Sequence, residues 1–449
     1  MNRIGKCVIN SELSLKGFRY NSFNTICIIA FFIPFFFLTV KSWVTTSLFL
    51  LFFICLWQIC SNFNYYFRNR SQHFWILLAC LVAPFFAEII PQIGRGEIVG
   101  SNLDGPSRMI LAASVFVYLS RRDSSGLITF LSYGAACGVI GVFFSLLLFP
   151  DHYWGTRAAT YFVDPITLPC FTVGLLGIFL FFSSRARLST FQVSNIMLLL
   201  FMTAYIVIES GSRSAYIAVI SLMLVFIPYV FRYSVKLQVV GFLSLVAALT
   251  LIYLFSNSVH SRVNESISGV ISFIFHNGNY EYLVQKTSSG QRMVLGQLDI
   301  QLIKANWLFG FGDRATLPPV EKLMASVPLL TPEIHWIKAL AGSHTEFLAQ
   351  LVRQGVIFGS VTLLSLFFYP IYLFAWKHRD ITFAVDSYAV GIFGILIPIL
   401  ASSLTIQVFN LKMTICFYGL CLAIFYGYLC HRIDCQRETV CPESRQQSK

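Results

Sequence analysis

Residues 237–256 read LQVVGFLSLVAALTLIYLFS and contain no charged side chain. An apolar run of about 20 residues is long enough to cross the hydrocarbon core of a bilayer as an α-helix. Similar runs recur along the chain, and twelve can be read: 21–40, 43–62, 73–91, 105–120, 126–149, 165–182, 192–209, 213–231, 237–256, 346–374, 384–404 and 412–431. The sequence therefore predicts an all-α fold, a polytopic membrane protein with about 12 transmembrane helices.

The composition of the whole chain agrees with this interpretation. Of its 449 residues, 56% are hydrophobic and only 12% are charged. Soluble globular domains carry about 25% charged residues, so this chain lies far outside their range.

The distribution of Lys and Arg predicts the orientation, because cytoplasmic loops collect these residues and exported loops do not. The basic set consists of the tail before residue 21, Arg68 and Arg70, Arg121 and Arg122, Arg185 and Arg187, Arg232 and Lys236, Lys377 and Arg379, and the tail after residue 431. Both termini are therefore predicted to be cytoplasmic, and the segment 257–345 is predicted to be exported. The same asymmetry explains most of the net charge of +12, so no nucleic-acid partner is expected.

The long polar segment divides the chain into four parts. Residues 1–256 hold spans one to nine, 257–345 form an exported loop domain, 346–431 hold the last three spans, and 432–449 form a cytoplasmic tail. Within the loop, residues 288–307 have apolar positions at helical spacing, which predicts a helix. Ser288 and Gln291 form a candidate capping box that places Arg292 in the first turn or just past it, and Gly310 and Gly312 would end the helix. The loop has no cysteine, and none of the 12 cysteines forms a CxxC pair, so no disulfide or metal is expected.

Arginines accompany the predicted helix starts on the exported side. The fourth span opens DGPSR, with Asp104 as the expected N-cap and Arg108 after it, Arg157 precedes the sixth, and Arg213 opens the eighth. The N-terminus of a helix attracts anions, and the guanidinium fork of arginine fits phosphate oxygens. Any one of these arginines could simply reach towards lipid headgroups. As a group, they predict a site for a polyanionic ligand.

The tenth span begins with a titratable residue. Ser343 is predicted as its N-cap, His344 as its first residue and Glu346 as its third, which together form a capping box. The helix dipole favours a neutral imidazole there, the form that a general base needs, although an interfacial histidine can also be purely structural. In that case Asp313, Glu321 and Glu333 are the alternative bases.

Two further residues of the tenth span stand out. Arg353 falls at membrane depth, where a charge needs a partner, and Glu88 in the third span is one possible partner. Gly355 lies three turns below His344 and would let another helix approach closely.

These elements give the chain a resemblance to the O-antigen ligases of Gram-negative bacteria, in the superfamily that also holds the O-antigen polymerases. The matching elements, in chain order, are DGPSR at 104–108, GSRSAY at 211–216, GQRMVL at 290–295 and the His-x10-Gly pattern from His344 to Gly355. Their order and placement make the set more specific than any single motif.

The resemblance implies inverting glycosyl transfer at the periplasmic face of the bacterial inner membrane, with no cofactor or metal. An undecaprenyl-diphosphate-linked polysaccharide would be the donor, lipid A-core the acceptor, and membrane lipids the surroundings. Arg213 and Arg292 would hold the diphosphate, and His344 would take the proton from the acceptor hydroxyl. The substrate-binding candidates are Arg108, Arg157, Arg314, Ser343 and Glu346.

Two other functions remain open from the sequence. An O-antigen polymerase would use the same donor and the same chemistry, with a lipid-linked glycan as acceptor. A polytopic transporter or flippase would place polar residues at mid-membrane depth, and Arg353 is the residue that favours it.

Overall fold

The structure, a computed structural model, describes residues 16–149, 157–184, 189–275, 288–312, 345–383, 388–409 and 411–440. In these ranges the chain is helical and contains no β-strand, which confirms the all-α prediction. The helices are α1 (Lys16–Phe36), α2 (Trp43–Ser61), α3 (Gln72–Gly94), α4 (Gly100–Leu119), α5 (Ser125–Leu148), α6 (Thr167–Ser183), α7 (Thr190–Ser210), α8 (Arg213–Val230), α9 (Val235–Phe255), α10 (Asn257–Phe275), α11 (Ser288–Ala305), α12 (Glu346–Lys377), α13 (Ala389–Ser403) and α14 (Lys412–Val440).

In the described residues, each of the twelve predicted spans coincides largely with a helix. Eight of these helices are long and apolar enough to cross a membrane, namely α2, α3, α5, α7, α8, α9, α12 and α14, and α1, α6 and α13 contain shorter apolar helices. The helix α4 belongs to neither group, because its first two turns carry polar and charged residues such as Asn102 and Asp104. The chain is a multi-pass membrane protein, whereas its orientation and its division into domains stay predictions.

The centre of the bundle is built from α6 and α14. Every residue of α6 is buried, and so is the stretch 414–430 of α14. Helix α13 packs on α6 with backbone touching backbone at Gly177 and Gly394, where a Cβ on either residue would overlap the other helix. In contrast, α9 is apolar and has no buried residue, so we infer that it faces lipid.

Helix α12 is not continuous. Gly355 has φ 81° and ψ 170°, a conformation that only glycine adopts readily, and it breaks the helix there. The loop after α11 docks on this break: Phe311 donates its backbone N–H to the carbonyl of Val352 over 2.8 Å, and Gly312 donates to that of Arg353 over 3.0 Å. A Cβ at Gly355 would overlap the carbonyl of Leu308 in the same loop. Gly355 was predicted to let another helix approach closely. The close approach does occur, but a loop makes it and not a helix, so this part of the prediction is wrong.

The helix predicted in the long polar segment is confirmed. It extends over Ser288–Ala305 as α11, and Arg292 lies near its start. Gly310 and Gly312 follow its end with φ of 64° and 68°, which lets the chain turn towards α12. Before α11 the segment also contains α10, which was not predicted and which carries polar residues along its first turns.

Candidate anion-binding site

Four arginines that are distant in sequence meet at the start of α8. Arg213 is the first residue of this helix, and Arg157 donates its Nε–H to the carbonyl of Ser210, just before the turn into it, over 2.8 Å. Arg262 on α10 and Arg292 on α11 complete the group, which we call the arginine cluster. Three of its members, Arg157, Arg213 and Arg292, were predicted from the sequence as ligand contacts.

The turn between α7 and α8 places two of these side chains beside each other. Gly211 ends α7 with φ 58°, the left-handed conformation that allows the chain to reverse within a few residues. A Cβ added at Gly211 would lie 3.7 Å from Nε of Arg262 and 4.0 Å from Nε of Arg157. The arginines therefore crowd against a glycine turn that leaves space for them, next to the partial positive charge of the α8 N-terminus.

Among the described residues, Glu265 is the acidic side chain that forms ion pairs with the cluster. Its Oε2 lies 2.5 Å from Nη2 of Arg213 and 3.6 Å from Nη1 of Arg262. Asp164, which also acts electrostatically on Arg157, is occupied at the start of α6, where its Oδ1 accepts the backbone N–H groups of Ile166 and Thr167.

Among the described residues, the cluster carries more positive than negative charge. Burial lowers the pKa of Arg157, and the neighbouring Arg262 and Arg213 lower it further. Burial likewise lowers the pKa of Arg292, with additional lowering by Arg213 and Arg157 that Glu265 only partly opposes. Arginine stays protonated at physiological pH, so the cluster is a cationic site that a ligand with several negative charges would stabilise.

Tyr216 lies one turn into α8 from Arg213. Its hydroxyl is buried and has no hydrogen-bond partner within the described residues, and it interacts electrostatically with Arg157, Arg213 and Arg262. A buried hydroxyl without a partner costs free energy, which makes Tyr216 a hydrogen-bond donor available to a bound anion.

A second charged group surrounds Arg108 and is separate in its contacts. Arg108 donates to Asp104 over 2.9 Å and to Oγ1 of Thr45 over 2.9 Å, and Lys412 pairs with the other oxygen of Asp104. The prediction that Asp104 caps the fourth span is wrong, since α4 already begins at Gly100 and Val99 is its N-cap. Asp104 instead lies in the second turn, where it faces Arg108 one turn later.

The start of α12 also differs from its prediction. Thr345 is the N-cap and accepts the backbone N–H of Leu348 over 3.1 Å, so Glu346 is the first residue of the helix and the Ser343–Glu346 capping box is wrong. The hydroxyl of Thr345 accepts an otherwise unpaired backbone N–H at the helix start, which is the role predicted for Ser343 two residues earlier. The predicted residues Ser343, His344 and Arg314 lie outside the described residues, as do Asp313, Glu321 and Glu333.

Glu346 is buried and holds α12 against the segment that precedes α14. Its carboxylate accepts the backbone N–H of Phe409 over 3.1 Å and the side-chain amide of Gln350 over 2.5 Å. Its own N–H donates to the carbonyl of Ile406 over 3.1 Å. These contacts fix the helix start two residues after His344.

A comparison with known families addresses the same part of the chain. Residues 197–364 match the family model described as O-antigen ligase. This match supports membership of the O-antigen ligase superfamily. The matched family indicates glycosyl transfer of the ligase or polymerase type in lipopolysaccharide synthesis, between a lipid-linked polysaccharide and a lipid-type acceptor. No curated protein matches the chain significantly.

The O-antigen ligase match covers most of the arginine cluster. Arg213, Arg262 and Arg292 lie inside the matched stretch with Glu265 and Glu346, whereas Arg108 and Arg157 lie before it. Arg157 nevertheless joins the cluster in space, through its contact with Ser210 inside the matched stretch.

Arg353 is paired with Glu88, the partner that the sequence suggested. Its Nε lies 3.1 Å from Oε2 of Glu88, and Gln354 and Gln92 donate to the same carboxylate over 2.6 and 3.1 Å. Gln350 accepts from Arg353 over 3.0 Å, and we call these five residues the α12 network. The ion pair with Glu88 accounts for Arg353 as part of the packing between α3 and α12, which removes the main observation in favour of a transporter.

Three residues of the candidate site were missed from the sequence. Arg262 and Glu265 lie three residues apart on α10, a spacing that places them on one helix face and that the sequence contains. Tyr216 was noticed only as the end of the GSRSAY motif. The described residues include no group of three or more His, Cys, Asp or Glu side chains that could hold a metal ion.

Proposed function

We propose that this protein transfers an undecaprenyl-diphosphate-linked O-antigen polysaccharide onto lipid A-core, with inversion and without a metal ion. The reaction would take place at the periplasmic face of the inner membrane, with both chain termini in the cytoplasm. The observation that carries the proposal is the meeting of Arg157, Arg213 and Arg292 at the start of α8. Arg213 and Arg292 were predicted from their own stretches of sequence as diphosphate contacts and Arg157 as a substrate contact, and their proximity supports a site for a diphosphate.

The arginine cluster supports the departure of the donor diphosphate. As the bond between the anomeric carbon and the phosphate oxygen breaks, negative charge increases on the diphosphate. Guanidinium groups that are already held in place stabilise this charge more in the transition state than in the bound donor. Arg213 and Arg292 take this role, and Arg157 and the Tyr216 hydroxyl lie close enough to assist. A diphosphate is a good leaving group, so no general acid is needed.

His344 supplies the base in this proposal. The acceptor hydroxyl attacks the anomeric carbon as its proton passes to the imidazole, and the electron pair of the broken bond goes to the diphosphate. The buried contacts of Glu346 with Phe409 and Gln350 favour a positioning role for this residue at the start of α12. Ser343 and Arg314 stay candidate substrate contacts.

Arg108 and Lys412 suit the acceptor. They flank Asp104 on α4 and α14, and the contacts of Arg108 are with α2, α4 and α14 rather than with the cluster. Lipid A-core is itself phosphorylated, so a second cationic group would bind it beside the donor.

The test is a lipopolysaccharide gel from a strain that lacks the gene, with and without the gene restored, together with an assay of the undecaprenyl-linked glycan. We expect full-length lipid-linked polymer to accumulate while lipid A-core stays bare. A core that carries a single repeat unit would contradict the ligase and identify an O-antigen polymerase, the alternative that shares this superfamily and this donor.

A further inference from the structure

One carboxylate in the arginine cluster serves two arginines on different helices. Oε2 of Glu265 contacts Arg213 of α8 at 2.5 Å and Arg262 of its own helix, α10, at 3.6 Å. The pair with Arg213 joins two helices, and the pair with Arg262 lies within one turn. Glu265 is 30% exposed and Arg213 is 16% exposed, so the carboxylate side of this ion pair is partly accessible.

The same oxygen occupies the place where a ligand would meet Arg213. Nη2 of Arg213 is part of the guanidinium fork that binds two oxygens of a carboxylate or a phosphate, and Glu265 already uses it. A phosphate group that binds Arg213 through this fork therefore has to replace Glu265.

Glu265 does not neutralise the cluster. Arg157 and Arg292 repel Arg213 and each other, as the lowering of the pKa of both residues by neighbouring arginines shows. A ligand with a single negative charge would replace one ion pair by another and gain little. A diphosphate carries enough negative charge to interact with the remaining arginines as well, so its binding forms more favourable interactions than the single ion pair with Glu265 that it displaces.

We propose that Glu265 is an internal counter-anion, which holds Arg213 until the donor diphosphate takes its place and which excludes singly charged lipids from the site. The inference rests on the proposed function, since the ligand is the diphosphate of the donor. When the donor binds, Glu265 changes its side-chain rotamer and pairs with Arg262 one turn away, with no movement of the backbone of α10. An anionic phospholipid with one phosphodiester group, such as phosphatidylglycerol, carries a single charge, and the occupied fork of Arg213 disfavours it.

The test measures binding of farnesyl diphosphate to the full-length protein in phosphatidylcholine nanodiscs, with and without phosphatidylglycerol. In phosphatidylcholine, Glu265→Gln should bind the probe about fivefold more tightly, because no charged carboxylate has to be displaced. Phosphatidylglycerol should weaken binding to Glu265→Gln and leave the wild type nearly unchanged. Glu265→Asp, which keeps the charge but shortens its reach to Arg213, should gain less and provides a second variant should the amide fail to fold.

A matched control is Glu97→Gln. Glu97 is 36% exposed and pairs with Arg95 over 2.8 Å, so this variant removes an equivalent charge from an arginine pair outside the cluster. It should bind the probe as the wild type does. The gain from Glu265→Gln should also disappear in an Arg213→Ala background, where the fork to be released is absent.

Two outcomes separate this inference from the function on which it rests. Wild-type binding of farnesyl diphosphate with no gain in either Glu265 variant would overturn the counter-anion and leave the diphosphate site intact. Failure of the wild type to bind the probe at all would overturn both.

Discussion

The arginine cluster and the α12 network both hold charged residues next to membrane-spanning helices, but they balance those charges differently. In the α12 network, Glu88 receives Arg353, Gln354 and Gln92, so its carboxylate is fully engaged by partners inside the protein. In the cluster, Glu265 forms ion pairs with Arg213 and Arg262, and Arg157 and Arg292 add further positive charge. A group that pairs internally stabilises a fold, whereas an unbalanced group of one sign is suited to bind a ligand of the opposite sign.

The largest effect should come from His344, because it separates chemistry from binding. His344→Ala should lower glycan transfer by about 10²- to 10⁴-fold, the range that a general base contributes, and leave farnesyl diphosphate binding by the cluster unchanged. Attachment of glycan to lipid A-core in membranes, normalised to protein level, measures this. Transfer at the wild-type level would exclude the base role.

The next largest effect should come from Arg292→Lys in the cluster. A lysine keeps the charge but not the fork, so transfer should fall by about 10²-fold, the loss seen when one preorganised transition-state contact is removed. Arg379→Lys is the control, since Arg379 is 74% exposed in a short helical turn remote in sequence from the cluster. Full activity of Arg292→Lys would reduce Arg292 to a headgroup contact.

The α12 network should respond in stability and not in binding. Glu88→Ala leaves Arg353 without its carboxylate, and we expect a loss of about 3 kcal/mol, the lower end of the range for breaking a buried pair, since Arg353 is partly exposed. Thermal unfolding of the detergent-solubilised protein measures this. An unchanged melting temperature together with weaker diphosphate binding would reverse the roles that we assign to the two regions.

A smaller loss is expected at the helix break. Gly355→Ala forces a Cβ into a conformation that only glycine tolerates and against the carbonyl of Leu308, at a cost of about 2 kcal/mol. Gly100→Ala provides the control, because its added methyl group would meet no atom within 4 Å. Limited proteolysis of the loop around Phe311 should accelerate in Gly355→Ala and stay at the wild-type rate in Gly100→Ala.

The smallest effect is expected at Asp104. It is 33% exposed and lies between Arg108 and Lys412, so Asp104→Asn should change the unfolding free energy by less than about 1 kcal/mol, as exposed pairs do. Acceptor binding should be retained or improved, because the variant raises the positive charge of this group. A loss of stability in Asp104→Asn as large as that in Glu88→Ala would show that the ion pairs of Asp104 stabilise the fold and do not serve binding.

Where the sequence was informative, the signal was local. The span 237–256 is apolar throughout, and hydrophobic length alone assigns such a helix to a membrane. Arg213 and Arg292 were found because an arginine near the start of a helix is visible within a few residues. The pairing of Arg353 with Glu88 could be predicted for a different reason. A charge at membrane depth needs a partner, and few acidic residues occur at that depth.

Other features depended on contacts between distant residues. The helix break at Gly355 requires the loop at 306–312 to supply hydrogen-bond partners, and no pattern within 346–377 reveals that loop. The helix α12 begins at Glu346 and not at the predicted His344. Thr345 caps the helix there, and Ile406 and Phe409 form hydrogen bonds with Glu346. Glu265 became part of the site only because α10 folds back onto the start of α8.

The sequence by itself determined which segments are apolar enough to be helices in a membrane and which helix ends carry arginine, because hydrophobicity and helix capping act over a few neighbouring residues. Only the tertiary structure decided that Arg157, Arg213, Arg262 and Arg292 share one site, that Glu265 pairs with two of them, and that Glu88 and Arg353 form a closed pair. These facts depend on how helices pack against each other, since electrostatic interactions act between side chains that are close in space, whatever their separation along the chain.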